Sequence, residues 1–436
     1  MKRILPLLYL TIFATLTGVS QQTLCIKGSV FEANSKKPIS FAAICISGKP
    51  IGTVSNDTGD FSFHFPVDYK NDTLTISSLG FKSYKHPIAK ILRDSVTLFY
   101  LDTTSIPIKP IVVLSKGETA KQIVEKAAKK IRKNYPTKMY YLNAFYRELC
   151  MRDNKYARLI EAAVNIQDFG YDTDLNTTRL RINEIRKSDS YLEYDLKSKI
   201  YSALFGSNNL LLNAYSSDFV RAKQNNCRNR NFLCMENIDR HAFTLEECKY
   251  IDNQLIYIIS YKDTLGDGEN TKQSSNIGGS IHIQADNYAI VKFDWGIYAV
   301  NNSKQGVDYY FNNKYFYYYS VRYREFEGKY YPDLIQNIEP VNGAFKTNSS
   351  DTIQGKQYVT STLMINTILT KRREFAKIKI KEKEIPTEDI YKKTFPYNPS
   401  FWKNYNIILL NPLMESINND LQKDKPLEEQ FKNNGE

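Results

Sequence analysis

Two short stretches hold the charges most able to do chemistry. The first is A-F-Y-R-E at residues 144–148, with Arg147 and Glu148, and the second is I-E-A-A-V at residues 160–164, with Glu161. Strand alternation sets Arg147 beside Phe145 on one face and Glu148 beside Tyr146 on the other. Glu161 shares its face with Ala157, Leu159 and Ala163. A carboxylate in such surroundings has two readings. It is an acid–base group whose pKa is raised by desolvation, or it is one half of a cross-strand ion pair with a neighbouring arginine.

The densest chemical feature is aromatic. Tyr309, Tyr310, Phe311, residues 315–319, Tyr323, Phe326, Tyr330 and Tyr331 fall within a short span. Alternation divides them between the two faces of a sheet. One face is core. The other is a stacking platform for sugars or a groove for an acyl chain, unless helix and loops cover it. Tyr317, Tyr319 and Tyr323, together with Glu161 and Arg147, are the candidate ligand-binding residues.

Other constellations point away from catalysis. The sequence has no H-E-x-x-H, G-x-S-x-G, P-loop or G-x-G-x-x-G pattern. Its four histidines, His64, His86, His241 and His282, lack metal-ligand spacing on one helix. Asp263, Asp267 and Glu269 surround Gly266 and Gly268, which reads as an acidic hairpin tip, or as oxygen ligands for calcium without the EF-hand pattern. No catalytic residue, cofactor-binding residue or metal ligand is assigned, and no cofactor is expected.

The elements that would position these groups are mostly strands. Tyrosine contributes 32 of the 436 residues, and aromatics make up 13%, a composition suited to pleated, half-buried surfaces. The formal charge of +12 is spread along the chain and interleaved with acids, which argues for a solvated surface and against a nucleic-acid site. Residues 1–20 have the form of an export signal: Lys2 and Arg3, a short apolar run, then Gly18, Val19 and Ser20 before a cleavage point. Later segments hold no apolar run long enough for a transmembrane helix. Export permits disulfides among the six cysteines. Cys227 and Cys234 could close a small loop, Cys25 and Cys45 could face each other on neighbouring strands, or the thiols stay reduced and buried.

Five segments are expected: the signal at 1–20, a β-sandwich at 24–102, a linker and amphipathic helix at 103–136, a large antiparallel β domain at 137–384, and a helical segment with tail at 385–436. The sandwich reading rests on short alternating runs broken by turn residues. Phe61, Phe63 and Phe65 alternate with Ser62 and His64, and Gly59 closes the turn before them. Ser115 to Glu118 has capping-box spacing ahead of a stripe of Ile123, Val124, Ala127, Ala128 and Ile131. Beyond it, hairpins at 241–261, 279–295 and 311–338, then strands at 358–369 and 375–380, imply one antiparallel meander. Short helices are expected near 201–205, 210–215 and 413–421.

Within the first domain the residues Gly28, Val30, Pro38, Ile39, Ala42, Gly52, Thr53, Asn56, Asp57, Gly59, Phe61, Leu74, Ile76, Ser77, Gly80 and Phe81 resemble the carboxypeptidase-regulatory-like domain family. That resemblance implies a transthyretin-like, seven-stranded Greek-key sandwich, found at the N-terminus of exported proteins of Gram-negative envelopes, with an accessory and non-peptidase role. The body of the chain, with A-F-Y-R-E, I-E-A-A-V, the hairpin at 279–292 and F-W-K-N-Y-N at 401–406, is similar to that of exported proteins carrying this domain. Its hairpins are also similar to lipoprotein-carrier half-barrels.

The expected fold class is therefore mainly β (α+β): the sandwich, then a large curved antiparallel sheet with a few covering helices. The expected function is a non-catalytic envelope protein, in the periplasm, outer-membrane-associated or at the cell surface. It binds or scaffolds a glycan, a peptide or an outer-membrane protein. The alternatives are a hydrolase with a site assembled from distant strands, peptidase or glycan-active, and a carrier of lipid or lipoprotein.

Overall fold

The computed structural model describes residues 22–104, 117–152, 155–173, 177–191, 215, 218–222, 233–251, 254–263, 276–298, 315–340, 357–375, 378, 380, 390–410 and 415–435. The export signal expected at 1–20, the helices expected near 201–205 and 210–214, Cys227, the acidic residues Asp267 and Glu269, and the aromatics at 309–311 lie outside the described residues.

Seven strands build the sandwich: β1 (Thr23–Glu32), β2 (Ala43–Ile46), β3 (Gly52–Val54), β4 (Asp60–Pro66), β5 (Thr73–Ser77), β6 (Tyr84–Pro87) and β7 (Leu98–Leu101), with helix α1 (Ile88–Arg93) between the last two. They form two sheets, ordered β4-β1-β7 and β3-β2-β5-β6. Phe61, Phe63 and Phe65 are buried between the sheets with Val30, Ile44, Leu74 and Phe99, as their alternation requires. Gly59 has φ +85°, and a Cβ there would meet the Val30 carbonyl at 2.5 Å, so only glycine fits this turn. Cys25 and Cys45 lie on strands of different sheets and are both free thiols. They do not pair across neighbouring strands. Cys234 is disulfide-bonded.

Helix α2 (Ala120–Asn134) follows. Its cap is a capping box formed by Thr119 and Gln122, four residues after Ser115, where the spacing placed it. Thr119 accepts from the Gln122 N–H at 3.2 Å, and Gln122 accepts from the Thr119 N–H at 2.8 Å. Both box types satisfy the same orphan donors. The buried stripe is the expected one, and Ile123, Val124 and Ile131 each contribute about 1.5–3 kcal/mol by leaving water.

The remaining strands are β8 (Tyr140–Arg152), β9 (Lys155–Asp168), β10 (Arg179–Lys187), β11 (His241–Ile251), β12 (Gln254–Asp263), β13 (Asn276–Gln284), β14 (Ile290–Tyr298), β15 (Tyr315–Phe326), β16 (Lys329–Pro340) and β17 (Gln357–Leu369). They make one sheet of ten described strands, ordered β10-β9-β8-β17-β16-β15-β14-β13-β12-β11, with antiparallel pairing throughout. This is not a single meander. β8 to β10 form one meander and β11 to β17 another, and β17 joins them by pairing with β8. Register shifts interrupt the ladders, for example at Ile182/Glu184, Arg322/Tyr323 and Ile365/Thr367. Such bulges bend strands and increase twist.

After β17 come α3 (Arg372–Phe375), α4 (Pro399–Asn404), α5 (Glu415–Leu421) and α6 (Leu427–Asn433), while a short turn of helix at residues 219–222 precedes β11. Of the strand expected at 375–380, the described residues Phe375, Ile378 and Ile380 are not in strand conformation. Phe375 ends α3 and stacks on Tyr141 at 4.7 Å, so its aromatic surface is buried without strand pairing.

The two faces of the large sheet are covered differently. On one, the helix face, α2 packs with Tyr135, Tyr140, Tyr146, Tyr171, Tyr319, Tyr323, Tyr330 and Tyr331 in the largest core. On the other, the sandwich face, Val54 of β3 packs with Phe145, Ala163, Leu334, Met364 and Trp402. Backbone pairing extends this contact. Ile51 bridges Thr367, and the Ile368 N–H donates to the Pro50 carbonyl at 3.0 Å.

Candidate functional site

Arg147 and Glu161 lie on the sandwich face. Register places them directly opposite each other on β8 and β9, with Arg186 of β10 opposite Glu161 on its other side. Arg147 Nε donates to Glu161 Oε1 at 2.7 Å, and Arg186 Nε donates to Oε2 at 2.6 Å. Arg147 also bonds the Ile408 carbonyl, and Arg186 lies between the Trp402 and Phe431 rings at 4.4 and 5.1 Å. Burial pushes the Glu161 carboxyl up, but Arg186 and Arg147 outweigh it and hold the group below its ordinary range. Of the two readings of this carboxylate, the geometry is that of the ion pair, with a second arginine that the sequence did not single out.

Tyr319 and Tyr323 lie on the helix face, so the five candidate residues do not converge. Tyr319 is fully buried, with Phe293 and Trp295 rings 6.2 and 6.3 Å away. Tyr317 is in β15, and its side chain lies outside the described residues. Tyr323 donates to Asp218. Asp218 also accepts from Tyr171 at 2.7 Å and from the Val220 N–H at 3.0 Å, capping the helical turn at 219–222. Burial raises its pKa against the pull of Arg221 and the two tyrosines. Beside it, Arg221 pairs with Asp168 at 2.6 Å, donates to Tyr140 at 2.9 Å and lies 4.3 Å over the Tyr171 ring. Sequence reasoning missed this network. The available signal was a D-x-x-R spacing, Asp218 to Arg221, at a helix start.

A second polar group occupies the helix face nearer the other end of the strands. Register runs from Glu148 on β8 through Ser361 on β17 and Asn337 on β16 to Tyr319 on β15 and Trp295 on β14. Glu148 is buried, accepts from Arg158 at 2.5 Å and from Tyr146 at 3.1 Å, and so has a charge partner. Glu339 is one step along β16 from Asn337 on the same face. Burial and the nearby Glu148 carboxylate push the Glu339 carboxyl up to about 7, with a hydrogen bond from Asn337 opposing them. Glu339 Oε1 and Asn337 Oδ1 are both buried atoms without a hydrogen-bond partner.

The histidines stay apart. His282 bonds Ser280 at 3.1 Å, and His241 Nδ1 is 3.0 Å from the Asn237 carbonyl. Among the described residues no group of three or more His, Cys, Asp or Glu side chains is arranged to hold a metal ion. No described helix is long and apolar enough to cross a membrane.

Residues 26–113 match the family model of the CarboxypepD_reg-like domain. The sandwich is a CarboxypepD_reg-like domain. It carries the Gly, Asn and Asp turn positions named above, and it is the CarboxypepD_reg-like domain whose β3 side covers the large sheet. No curated protein matches the chain. Solved structures similar to it include a DUF1329 family protein from Desulfovibrio piger, at 10% identity and TM-score 0.23, covering 59% of this chain and 98% of that one. A LolA superfamily protein from Nitrosomonas europaea matches at 14% identity and TM-score 0.22, covering 58% and 94%. The Pseudomonas aeruginosa MucA/MucB complex matches at 8% identity and TM-score 0.17, covering 57% and 98%.

Proposed function

We propose that this is a non-catalytic protein of a Gram-negative envelope that binds its ligand or partner on the helix face of the ten-stranded sheet. The CarboxypepD_reg-like domain acts as a fixed support on the opposite face. The observation that carries this reading is the meeting of aromatic side chains with unpartnered acceptors on the helix face. On the sandwich face, Glu161, Arg147 and Arg186 satisfy one another beneath the C-terminal segment. On the helix face, an aromatic row ending in Trp295 and Tyr319 adjoins Asn337 and Glu339, which keep spare hydrogen-bonding capacity. Aromatic surface beside a few convergent polar groups is the usual make-up of a ligand site. Envelope location is supported by the signal-like residues 1–20 and by the exported setting of this domain family.

The two tryptophans of the chain lie on opposite faces, Trp295 on the helix face and Trp402 on the sandwich face. Emission from a Trp402→Phe variant therefore reports on the helix face, and emission from Trp295→Phe on the other. Titration with laurate, a chitotetraose and a lysine-containing peptide is expected to shift Trp295 emission for at least one probe. A shift confined to Trp402 would move the site to the sandwich face and overturn the reading. Acyl chains released on denaturing the gently purified protein would favour the carrier form of the same function.

A further inference from the structure

We propose that Glu339 and Asn337 form a receptor for a primary ammonium group carried by the ligand of the helix face, an inference that rests on the proposed function. Three observations lead there. First, the groups with spare capacity are acceptors: Glu339 Oε1 and Asn337 Oδ1 are buried and without partners. Burying an acceptor without a donor is costly, so the pair is poised for a donor brought from outside. Second, Asn337 is 1% exposed and its amide is directed at the Glu339 carboxylate, while Glu339 itself keeps some contact with solvent. The site is built on a rigid strand and reachable at one side. Third, the neighbouring charges are already balanced. Arg158 of β9 is the cation on this face and is already paired with Glu148, so among the described groups facing Glu339, which are Tyr146, Glu148 and Cys150 from β8 and Arg158 from β9, its carboxylate has no charge partner of its own.

An ammonium ion supplies three donors and no acceptor. Its bonds to a carboxylate are charge-assisted and roughly twice as strong as neutral ones. A sugar diol would bring acceptors as well, and the two acceptor oxygens Glu339 Oε1 and Asn337 Oδ1 cannot bond those. Calcium takes six to eight oxygens, and two spare oxygens fall far short. Because burial and Glu148 leave the Glu339 carboxyl near half-ionised at neutral pH, capture of a cation selects the ionised form and expels a proton. Affinity therefore rises with pH through about 7.

The test is calorimetric titration of the full chain with N-acetyl-lysine methylamide, against N-acetyl-norleucine methylamide as the uncharged control. The lysine probe keeps its charge across the range used, with a pKa of about 10.4. Binding of the lysine probe about tenfold tighter at pH 8 than at pH 6 is expected, with at least a tenfold loss in the isosteric Glu339→Gln variant. Equal binding of the two probes, or a pH-independent affinity of the unmodified protein, would overturn the proposal without reliance on any variant. Phosphoethanolamine in place of the lysine probe tells a headgroup amine from a side-chain amine, by which of the two binds tighter. A Trp295 shift with laurate but none with the lysine probe removes the ammonium receptor and leaves the helix-face reading standing. Shifts confined to Trp402 remove both.

Discussion

Asn406 closes both backbone hydrogen bonds of His64. Its Oδ1 accepts from the His64 N–H at 2.7 Å, and its Nδ2 donates to the His64 carbonyl at 2.9 Å. One side chain of the C-terminal segment thus stands in for a strand beside β4, while the Asn406 carbonyl accepts from Asn366 of β17 at 3.0 Å. Sandwich, sheet and C-terminal segment meet at this residue. Asn406→Ala is expected to cost about 1–3 kcal/mol and to speed hydrogen exchange at the His64 amide selectively. An unchanged His64 exchange rate would show that the clamp is not maintained in solution.

Glu161→Gln should be among the most damaging single changes in the large domain. It leaves two guanidiniums facing a neutral amide in a dry interface, for which about 3–5 kcal/mol is the usual range. Arg147→Met and Glu161→Leu together should recover part of that loss. Urea midpoints of the three proteins measure it. The ion-paired carboxyl is held low, so its contribution is present above the unfolded carboxylate pKa and is lost as pH falls through the folded value.

His282 works in the other pH window. Burial first, then Lys292 and Lys249, lower its pKa to about 3. The unfolded chain takes up a proton near pH 6.5 that the folded chain refuses. Stability is therefore fully present above about 6.5 and declines by up to about 1.4 kcal/mol per pH unit below it. His282→Gln should flatten the acid limb of a plot of melting temperature against pH. An identical limb in both proteins would assign the acid sensitivity to other groups.

Asp218→Ala should release the helical turn at 219–222 by removing the acceptor shared by Tyr171, Tyr323 and the Val220 N–H. Phe219 of that turn stacks on Trp295 at 5.2 Å. The expected outcome is a red shift and stronger acrylamide quenching of Trp295 in a Trp402→Phe background. No change in either would mean that the turn is held mainly by its apolar contacts.

The fold was legible where burial is one-sided. Phe61, Phe63 and Phe65 announced a sandwich core because every second residue points inward. The stripe from Ile123 to Ile131 announced an amphipathic helix. Hairpins with close-spaced strands were equally plain, since β11–β12 and β15–β16 are joined locally. What could not be read was long-range pairing. Nothing in residues 357–369 says that their second partner is β8, because alternation fixes a strand's faces but not its neighbours. The same limit governed the site. Glu161 and Arg147 drew attention by type, yet only register reveals Arg186 on the far side. Asn337 and Glu339 passed unnoticed because their significance lies in atoms without partners, a property of packing and not of sequence.

The placement of β17 has a consequence for the order in which the protein can be made. β8 emerges from synthesis about two hundred residues before the strand that covers its open edge, and the sandwich precedes its landing place on β17 by still more. A growing chain must therefore hold a finished N-terminal domain and a three-stranded fragment with one sticky edge until residues 357–369 arrive. Loop closure over such distances is slow, and exposed strand edges invite aggregation. Chains that terminate early should be lost as a whole to proteolysis or aggregation, with no partially working fragments, and the demand for chaperone protection should peak late in the life of the nascent chain.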